Sequence, residues 1–149
     1  MTDLNIVGYA SRFDERDLGG DTVRRGAFSA ALLSRTDPYP MLYAHDTQTP
    51  VGVWERVVED EVGLLVEGRL QGGTPETDRL IALIQSGAVS GLSIGYRTRR
   101  SRPAATGRDL FEIELWEISL VAFPMLPTAR IFRADTPLTP AQDQERIAA

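Results

Sequence analysis

The stretch AVSGLSIGYRTRR, residues 88–100, places a single serine between two glycines inside a segment that otherwise has the composition of a strand. Side chains alternate along a strand, so Gly91, Ser93 and Gly95 share one face while the apolar residues between them point to the other. Glycine weakens a strand and is tolerated where another backbone or a ligand must approach closely. We therefore predict that Gly91 and Gly95 clear a substrate-binding surface around Ser93. The alternative is a strand packed on a helix, or a bulge, in which Ser93 only fills space.

A second strand is predicted over residues 109–123, within the stretch DLFEIELWEISLVAFP. Its odd-numbered positions are apolar from Phe111 to Leu115, and the next residue in that register is Glu117. A buried, ionised carboxylate without a partner costs several kcal/mol, so Glu117 requires a donor. Both faces become apolar in the second half of the strand, which indicates a passage from edge to core or a bulge near Leu115 that would move Glu117 to the other face. A surface position or an arginine partner is the alternative for Glu117.

Weaker signals along the rest of the chain predict a mixed α+β fold. Strands are expected over 4–13 and 39–46, a hairpin over 51–70, and helices over 25–35 and between Thr74 and Gly87. In the second helix Thr74 suits the N-cap, Pro75 suits the first helical position, and Gly87 suits the C-terminal stop. We predict one domain over residues 1–133, followed by a polar, proline-containing tail over 134–149 that is expected to be disordered.

The composition excludes several classes of chemistry. The 149 residues contain one histidine, no cysteine, and 16 basic residues that are all arginine. A cysteine nucleophile, a Ser-Lys pair, a P-loop and metal sites built on several histidines or cysteines are therefore excluded, and we expect no cofactor. The net charge of −5 argues against a nucleic-acid partner. The lack of a long apolar run or a secretory signal argues against a membrane, so we expect a soluble protein made in the cytoplasm.

The single histidine, His45, follows a predicted strand and precedes Asp46. A lone histidine is more often structural than catalytic. If Ser93 is a nucleophile, however, His45 is the only conventional base that the chain offers. A carboxylate would then hold the imidazole in the correct tautomer and stabilise the imidazolium, and either Glu117 or Asp46 could supply it.

Four segments, in order, resemble the prohead (procapsid) maturation protease family of tailed phages and prophage-derived particles. They are GYASRFDERDLGGDTVRRGAF, YAHDTQTPVGVW, SGLSIGY and LWEISLVAFPMLPTARI. The family is similar in fold to the herpesvirus capsid-assembly proteases, which implies a mainly antiparallel β-barrel flanked by helices. The resemblance also implies Ser93 as nucleophile, His45 as base and Glu117 as the third member. The herpesvirus enzymes use a second histidine in that third role, and this chain has none.

The resemblance implies a serine endopeptidase that cleaves the scaffolding segment of a major capsid protein, and itself, inside an assembling procapsid. It also implies a homo-oligomer, expected to be a dimer, because a monomer of low activity would gain activity when it is concentrated in the shell. The alternative is a catalytically inactive scaffold or chaperone module of the same fold.

Two further features have open interpretations. The oxyanion hole is expected in backbone N–H groups, either of the loop from Pro124 to Thr128 or of the turn before Ser93. Five arginines fall between residues 97 and 108, and a solvated hairpin loop is their expected setting. The alternative is that these arginines dock onto an acidic scaffold or capsid segment.

Overall fold

The computed structural model describes residues 2–137, which form eight strands and two helices. The strands are β1 Leu4–Arg12, β2 Asp21–Val23, β3 Tyr39–Tyr43, β4 Gly52–Glu59, β5 Gly63–Leu70, β6 Gly91–Pro103, β7 Arg108–Val121 and β8 Ile131–Asp135. The helices are α1 Ser29–Ser34 and α2 Pro75–Gln85. The boundary predicted at residue 133 falls inside β8, and most of the predicted tail lies outside the described residues.

The eight strands form one sheet in the order β2-β7-β3-β4-β5-β1-β8, and β6 pairs with the other edge of β7. Only β2 and β3 run parallel to their neighbour β7, so the sheet is mainly antiparallel as expected. The sheet curls but does not close into a barrel. Its ends approach each other where Gly91 bridges Arg130 and where Leu92 donates to the carbonyl of Ala129 at 2.9 Å. This curl brings the start of β6 close to β1 and β8.

The core fills the concave side of the sheet, and Trp54 of β4 lies at its centre. Trp54 is only 1% exposed, and its indole N–H donates to the carbonyl of Ile118 at 3.0 Å. Burial of this large ring, with its one polar atom paired, ties the β4–β5 hairpin to β7. The predicted hairpin over 51–70 is confirmed by the pairing of β4 with β5.

Helix α2 begins and ends where its capping residues predict. The Thr74 hydroxyl accepts a hydrogen bond from the backbone N–H of Thr77 at 3.1 Å, and Pro75 is the first helical residue. Gly87 follows the helix with a φ of +85°, the left-handed conformation that glycine adopts at low cost. One face of α2 is buried against the core through Leu80, Ile81 and Ile84.

Three predicted elements differ from the structure. The helix expected over 25–35 is shorter, because Arg24 and Gly26 carbonyls accept turn hydrogen bonds before α1 begins at Ser29. The strand expected over 39–46 ends at Tyr43. The hairpin loop expected for the arginines between residues 97 and 108 is wrong over most of that stretch, because β6 continues to Pro103 in cross-strand pairing with β7, and only residues 104–107 turn.

Candidate active site

A bulge in β7 places Glu117 on the face of the strand that points away from the core. Leu115 pairs with Tyr96 and Glu117 pairs with Gly95, so Trp116 is an extra residue without a partner. Directly before the bulge the odd-numbered Ile113 and Leu115 enter the core, and after it the even-numbered Ile118 and Leu120 do. The bulge predicted near Leu115 is therefore confirmed. It explains how one strand can carry an apolar face and a buried carboxylate in the same numerical register.

Ser93 lies on the same face of the sheet as Glu117, on the adjacent strand. It pairs directly with Ser119 of β7 and is 8% exposed. Its side chain lines a cavity of about 260 Å³ that His45 also lines. The serine and the only histidine therefore share one recess.

The two glycines beside Ser93 make room for side chains of the protein itself. A Cβ on Gly95 would lie 2.7 Å from the Glu117 Oε1 atom, and a Cβ on Gly91 would lie 2.6 Å from the ring of Pro124. The face around Ser93 is thus not bare. The two glycines make room for Glu117 and Pro124, which corrects the expectation that they leave an open surface. Contact of Gly91 and Gly95 with a substrate stays a prediction.

His45 is held in a tight turn directly after β3. Ala44 and His45 both have left-handed backbone conformations, with φ of 53° and 63°. Such conformations are unfavourable for residues with a side chain and persist only where the surroundings impose them. Here the Ala44 N–H donates to the Leu120 carbonyl at 2.9 Å, and the His45 N–H donates to the Ser119 hydroxyl at 3.0 Å. Strand β7 therefore fixes the backbone from which the imidazole projects.

The imidazole of His45 contacts Glu117. His45 Nδ1 is hydrogen-bonded to Glu117 Oε1, and the second oxygen, Oε2, accepts a hydrogen bond from the Ser119 hydroxyl at 2.7 Å. An ionised Glu117 can only accept, so in that state the contact places a proton on Nδ1, and a neutral imidazole then presents Nε2 as the acceptor. The Glu117 side chain is 11% exposed and the His45 side chain 47%, so the ring spans the distance from the protein interior to solvent.

Asp46, the other carboxylate considered for His45, has a different role in the structure. Its Oδ1 accepts a hydrogen bond from the backbone N–H of Gln48 at 3.0 Å, which closes the following turn. Glu117 is the carboxylate that touches the ring.

Ser119 was not identified from the sequence as a residue of the site. It is fully buried, accepts from the His45 backbone and donates to Glu117. The signal that could have found it is a second small polar residue two positions after Glu117, in the middle of an apolar run.

Strand spacing relates Ser93 to His45. Ser93 on β6 pairs with Ser119 on β7, which pairs on its other side with Leu42 of β3. Neighbouring strands lie about 4.8 Å apart, so the backbones of β6 and β3 are roughly 10 Å apart here. Ser93 and His45 therefore lie on opposite sides of β7, and within the described residues no hydrogen bond joins the Ser93 hydroxyl to the imidazole.

Asp21 and Glu15 line the cavity, and their carboxylates accept hydrogen bonds from guanidinium or hydroxyl groups. Asp21 accepts two hydrogen bonds from Arg108 at 3.0 Å and one from the Tyr96 hydroxyl at 2.6 Å. Burial alone would raise the pKa of Asp21, but these hydrogen bonds outweigh it and lower the pKa. Burial and the contact with Asp21 raise the pKa of Tyr96. The hydrogen bond from Thr128 lowers the pKa of Glu15. Both carboxylates are therefore ionised at neutral pH.

One of the two segments proposed for the oxyanion hole borders the cavity. Met125 and Leu126 line it, and Pro124 packs against Gly91 at the start of β6. The position of the donors stays a prediction. Among residues 2–137, no cluster of three His, Cys, Asp or Glu side chains is arranged to hold a metal ion. No helix in this part of the chain is long and apolar enough to span a bilayer.

Comparison with known sequences gives two matches. The profile described as Caudovirus prohead serine protease matches residues 1–142. The prohead protease of Enterobacteria phage HK97 is 40% identical over 121 residues, which cover 78% of this chain and 54% of that protein. The chain thus spans about half the length of this curated relative.

Comparison with solved structures gives herpesvirus proteases. The protease of Kaposi's sarcoma-associated herpesvirus, in complex with a hexapeptide phosphonate inhibitor, has a TM-score of 0.60 at 13% identity. That similarity covers 98% of this chain and 75% of the viral chain. A second structure of the same protease, in complex with a dimer disruptor, has a TM-score of 0.52 at 11% identity and covers 97% and 88% of the two chains. At these identities the likeness shows a shared fold.

Proposed function

Because the chain belongs to the caudovirus prohead serine protease family, we propose that it is a serine endopeptidase with Ser93 as nucleophile, His45 as base and Glu117 as the orienting acid. The observation that carries this proposal is the contact between the only histidine and Glu117, one strand away from Ser93. Ser93 and His45 line one recess, and Glu117 contacts the imidazole from strand β7, which is an arrangement suited to nucleophilic catalysis.

In the proposed mechanism the Ser93 hydroxyl attacks the scissile carbonyl carbon while His45 Nε2 accepts the hydroxyl proton. The tetrahedral intermediate collapses as His45 returns that proton to the leaving amine, and the acyl group stays on Ser93. Water, activated by the same imidazole, then releases the acyl group as a carboxylic acid. Backbone N–H groups near Ser93, in the segment from Pro124 to Thr128 or before β6, stabilise the oxyanion.

Glu117 and Ser119 act on His45 and not on the substrate. Glu117 holds Nδ1 protonated and stabilises the imidazolium that forms during attack. Ser119 is a positioning residue, since its single hydroxyl fixes both the second oxygen of Glu117 and the backbone of His45. A buried hydrogen bond to a charged group contributes about 1.5–3 kcal/mol, enough to decide the orientation of the ring.

The substrates that we propose are the capsid protein with its scaffolding segment, and the protease itself, cleaved inside the assembling procapsid. The name of the HK97 relative, a prohead protease, supports this setting. We also propose that the chain works as a homodimer, for which the dimer disruptor bound to the herpesvirus protease is the supporting observation. Dimerisation on concentration in the shell would restrict cleavage to that compartment by mass action.

The proposal is tested by co-expressing the chain with its cognate capsid protein and measuring the intact masses of both. Wild type is expected to shorten the capsid protein, and Ser93→Ala is expected to leave it at full length. Ser34→Ala is the matched control, since Ser34 is an exposed serine of α1 that does not line the recess. Processing by Ser93→Ala at the wild-type rate would overturn the proposal. Particles that assemble with no processing by wild type would identify an inactive assembly module instead.

A further inference from the structure

The strand that carries Ser93 has an unpaired edge. Strand β7 is paired on both sides, by β6 on one and by β2 and β3 on the other, whereas β6 pairs with β7 alone. At its start Leu92 donates to Ala129, so this N–H points away from β7. Within residues 2–137 no strand pairs with that outer edge from Ser93 to Pro103. An edge of this kind presents alternating N–H and C=O groups that an extended chain can pair with.

The distal half of this edge is strongly basic. Residues 97–108 contain five arginines and no acidic residue, in a protein whose net charge is −5. The four arginines on β6 are all exposed; they are Arg97, Arg99, Arg100 and Arg102. Positive charge is therefore concentrated along β6. The residues directly across the pair on β7 include three acidic ones, Asp109, Glu112 and Glu114.

Of the five arginines, Arg108 is paired with Asp21 at 3.0 Å, and three others form no ion pair in the described part of the chain. Arg99 forms an ion pair with Glu114 at 2.6 Å. The guanidinium groups of Arg100 and Arg102 lie 5.6 and 5.5 Å from the centre of the Phe111 ring, a contact that supports a cation without cancelling its charge. Among the described residues, Arg97, Arg100 and Arg102 form no ion pair within 4 Å.

The basic stretch continues the strand of the nucleophile, so a substrate that pairs beside Ser93 would extend along it. Arg97 is four residues beyond Ser93, which corresponds to about 13 Å of extended strand. Resting on the function proposed above, we propose that the outer edge of Arg97–Pro103 docks an acidic, extended segment of the polypeptide substrate, adjacent to the scissile bond. Backbone pairing supplies the register, and the arginines select segments rich in Asp and Glu.

The test measures binding to the full chain carrying Ser93→Ala, so that no cleavage intervenes. The probe is a fluorescein-labelled 12-residue peptide of alternating Glu and Thr, followed by fluorescence anisotropy in low salt, and the reference peptide alternates Gln and Thr. The Glu peptide is expected to bind more tightly by roughly tenfold, from three exposed charge pairs, and to lose this advantage at high salt. Equal affinity for the two peptides would overturn the proposal, because arginines that only keep the edge from pairing show no preference for acidic chains.

Two controls separate the docking edge from general charge attraction. The triple variant Arg97→Gln, Arg100→Gln, Arg102→Gln is expected to abolish the preference for the Glu peptide. The matched variant replaces three exposed arginines elsewhere, Arg56, Arg79 and Arg133, by Gln and is expected to retain the preference. Equal losses in the two triple variants would show that net charge alone attracts the peptide and would overturn the proposal.

A third peptide tests the strand pairing itself. Methylating every backbone amide of the probe keeps its charge but removes all of its N–H donors, and most of the binding is expected to be lost. Undiminished binding of the N-methylated peptide would overturn the pairing at this edge. Because Ser93→Ala is used throughout, these results are independent of proteolysis. A failure of capsid processing together with intact peptide selection would contradict the proposed activity and leave the docking edge standing.

Discussion

The β4–β5 hairpin and the β6–β7 pair use the same structural device for different ends. In the hairpin, Gly68 has no side chain because the ring of Trp54 occupies its place, and a Cβ there would lie 2.6 Å from a ring carbon. In the β6–β7 pair, Gly95 has no side chain because the carboxylate of Glu117 occupies its place. The first glycine serves packing and the second serves a reactive group. The role of a glycine opposite a bulky side chain therefore depends on the chemistry of that side chain.

Replacing one carboxylate in each region is expected to give the largest difference in activity. Glu117→Gln keeps the shape of the side chain but allows the amide to donate to His45, which favours the wrong tautomer. We expect kcat/KM on a peptide spanning the cleavage site to fall by about 10³–10⁴-fold. Glu67→Gln is the control, because Glu67 of β5 is 40% exposed and meets only Arg56 at 3.4 Å. Equal activities of the two variants would remove Glu117 from the mechanism.

The paired glycines give the next largest contrast. Gly95→Ala pushes the Glu117 carboxylate away from its position, and a displacement of about 1 Å in a catalytic group can cost about 10²-fold in rate. In Gly68→Ala the added Cβ would instead lie 2.6 Å from both the Trp54 ring and the Val53 carbonyl oxygen. This clash is expected to lower the free energy of unfolding by about 1–3 kcal/mol. Urea unfolding and kcat/KM per folded molecule, measured on both variants, check the contrast. A Gly95→Ala enzyme of full activity would show that the position of Glu117 is not critical.

Local signals predicted the hairpin and α2 because both are determined by residues close in sequence. Thr74, Pro75 and Gly87 mark the ends of α2, and alternation around a polar turn marks the hairpin. The same kind of reasoning singles out Ser93 and Glu117, because each interrupts a strand pattern, and His45 stands out as the only histidine.

The remaining features depend on contacts between distant parts of the chain. The room made by Gly95 is occupied by Glu117, 22 positions later, and the backbone of His45 is held by Ser119, 74 positions later. Residues 99–103 have the composition of a loop, but pairing with β7 overrides that local preference. Neither alternation nor turn composition contains this information.

Removing a single hydrogen bond to β7 in each region is expected to give smaller effects. Ser119→Ala removes the hydroxyl that holds Glu117 and His45, and kcat/KM per folded molecule is expected to fall about 10–100-fold. The free energy of unfolding is expected to fall by about 1–3 kcal/mol, because the partners of that hydroxyl stay buried. Trp54→Phe removes the donor to the buried Ile118 carbonyl and is expected to lower the free energy of unfolding by about 1–3 kcal/mol with activity retained. Recovery of activity in Ser119→Thr, which keeps the hydroxyl, separates a positioning role from packing. Full activity of Ser119→Ala would contradict that role.

The smallest expected effect is on acid stability, and it occurs in both regions. Burial would raise the pKa values of Asp60 in the hairpin turn and Asp21 beside β7, but hydrogen bonds outweigh burial and lower both. A carboxyl with a lowered pKa stabilises the fold above its ordinary pKa, and this contribution is lost as the pH falls through the folded-state value. Asp60→Asn and Asp21→Asn are each expected to flatten the acid limb of the stability curve by about 1 kcal/mol or less. An unchanged limb in both variants would contradict the assignment.

Activation of Ser93 by His45 is tested most directly by covalent labelling. A fluorophosphonate reacts with a serine hydroxyl only where a neighbouring base activates it, and peptide mapping by mass spectrometry locates the adduct. The account predicts one adduct, on Ser93, that is formed by wild type and lost in His45→Ala. An adduct formed equally fast in His45→Ala, or an unlabelled Ser93 in an enzyme that still processes capsid protein, would contradict it.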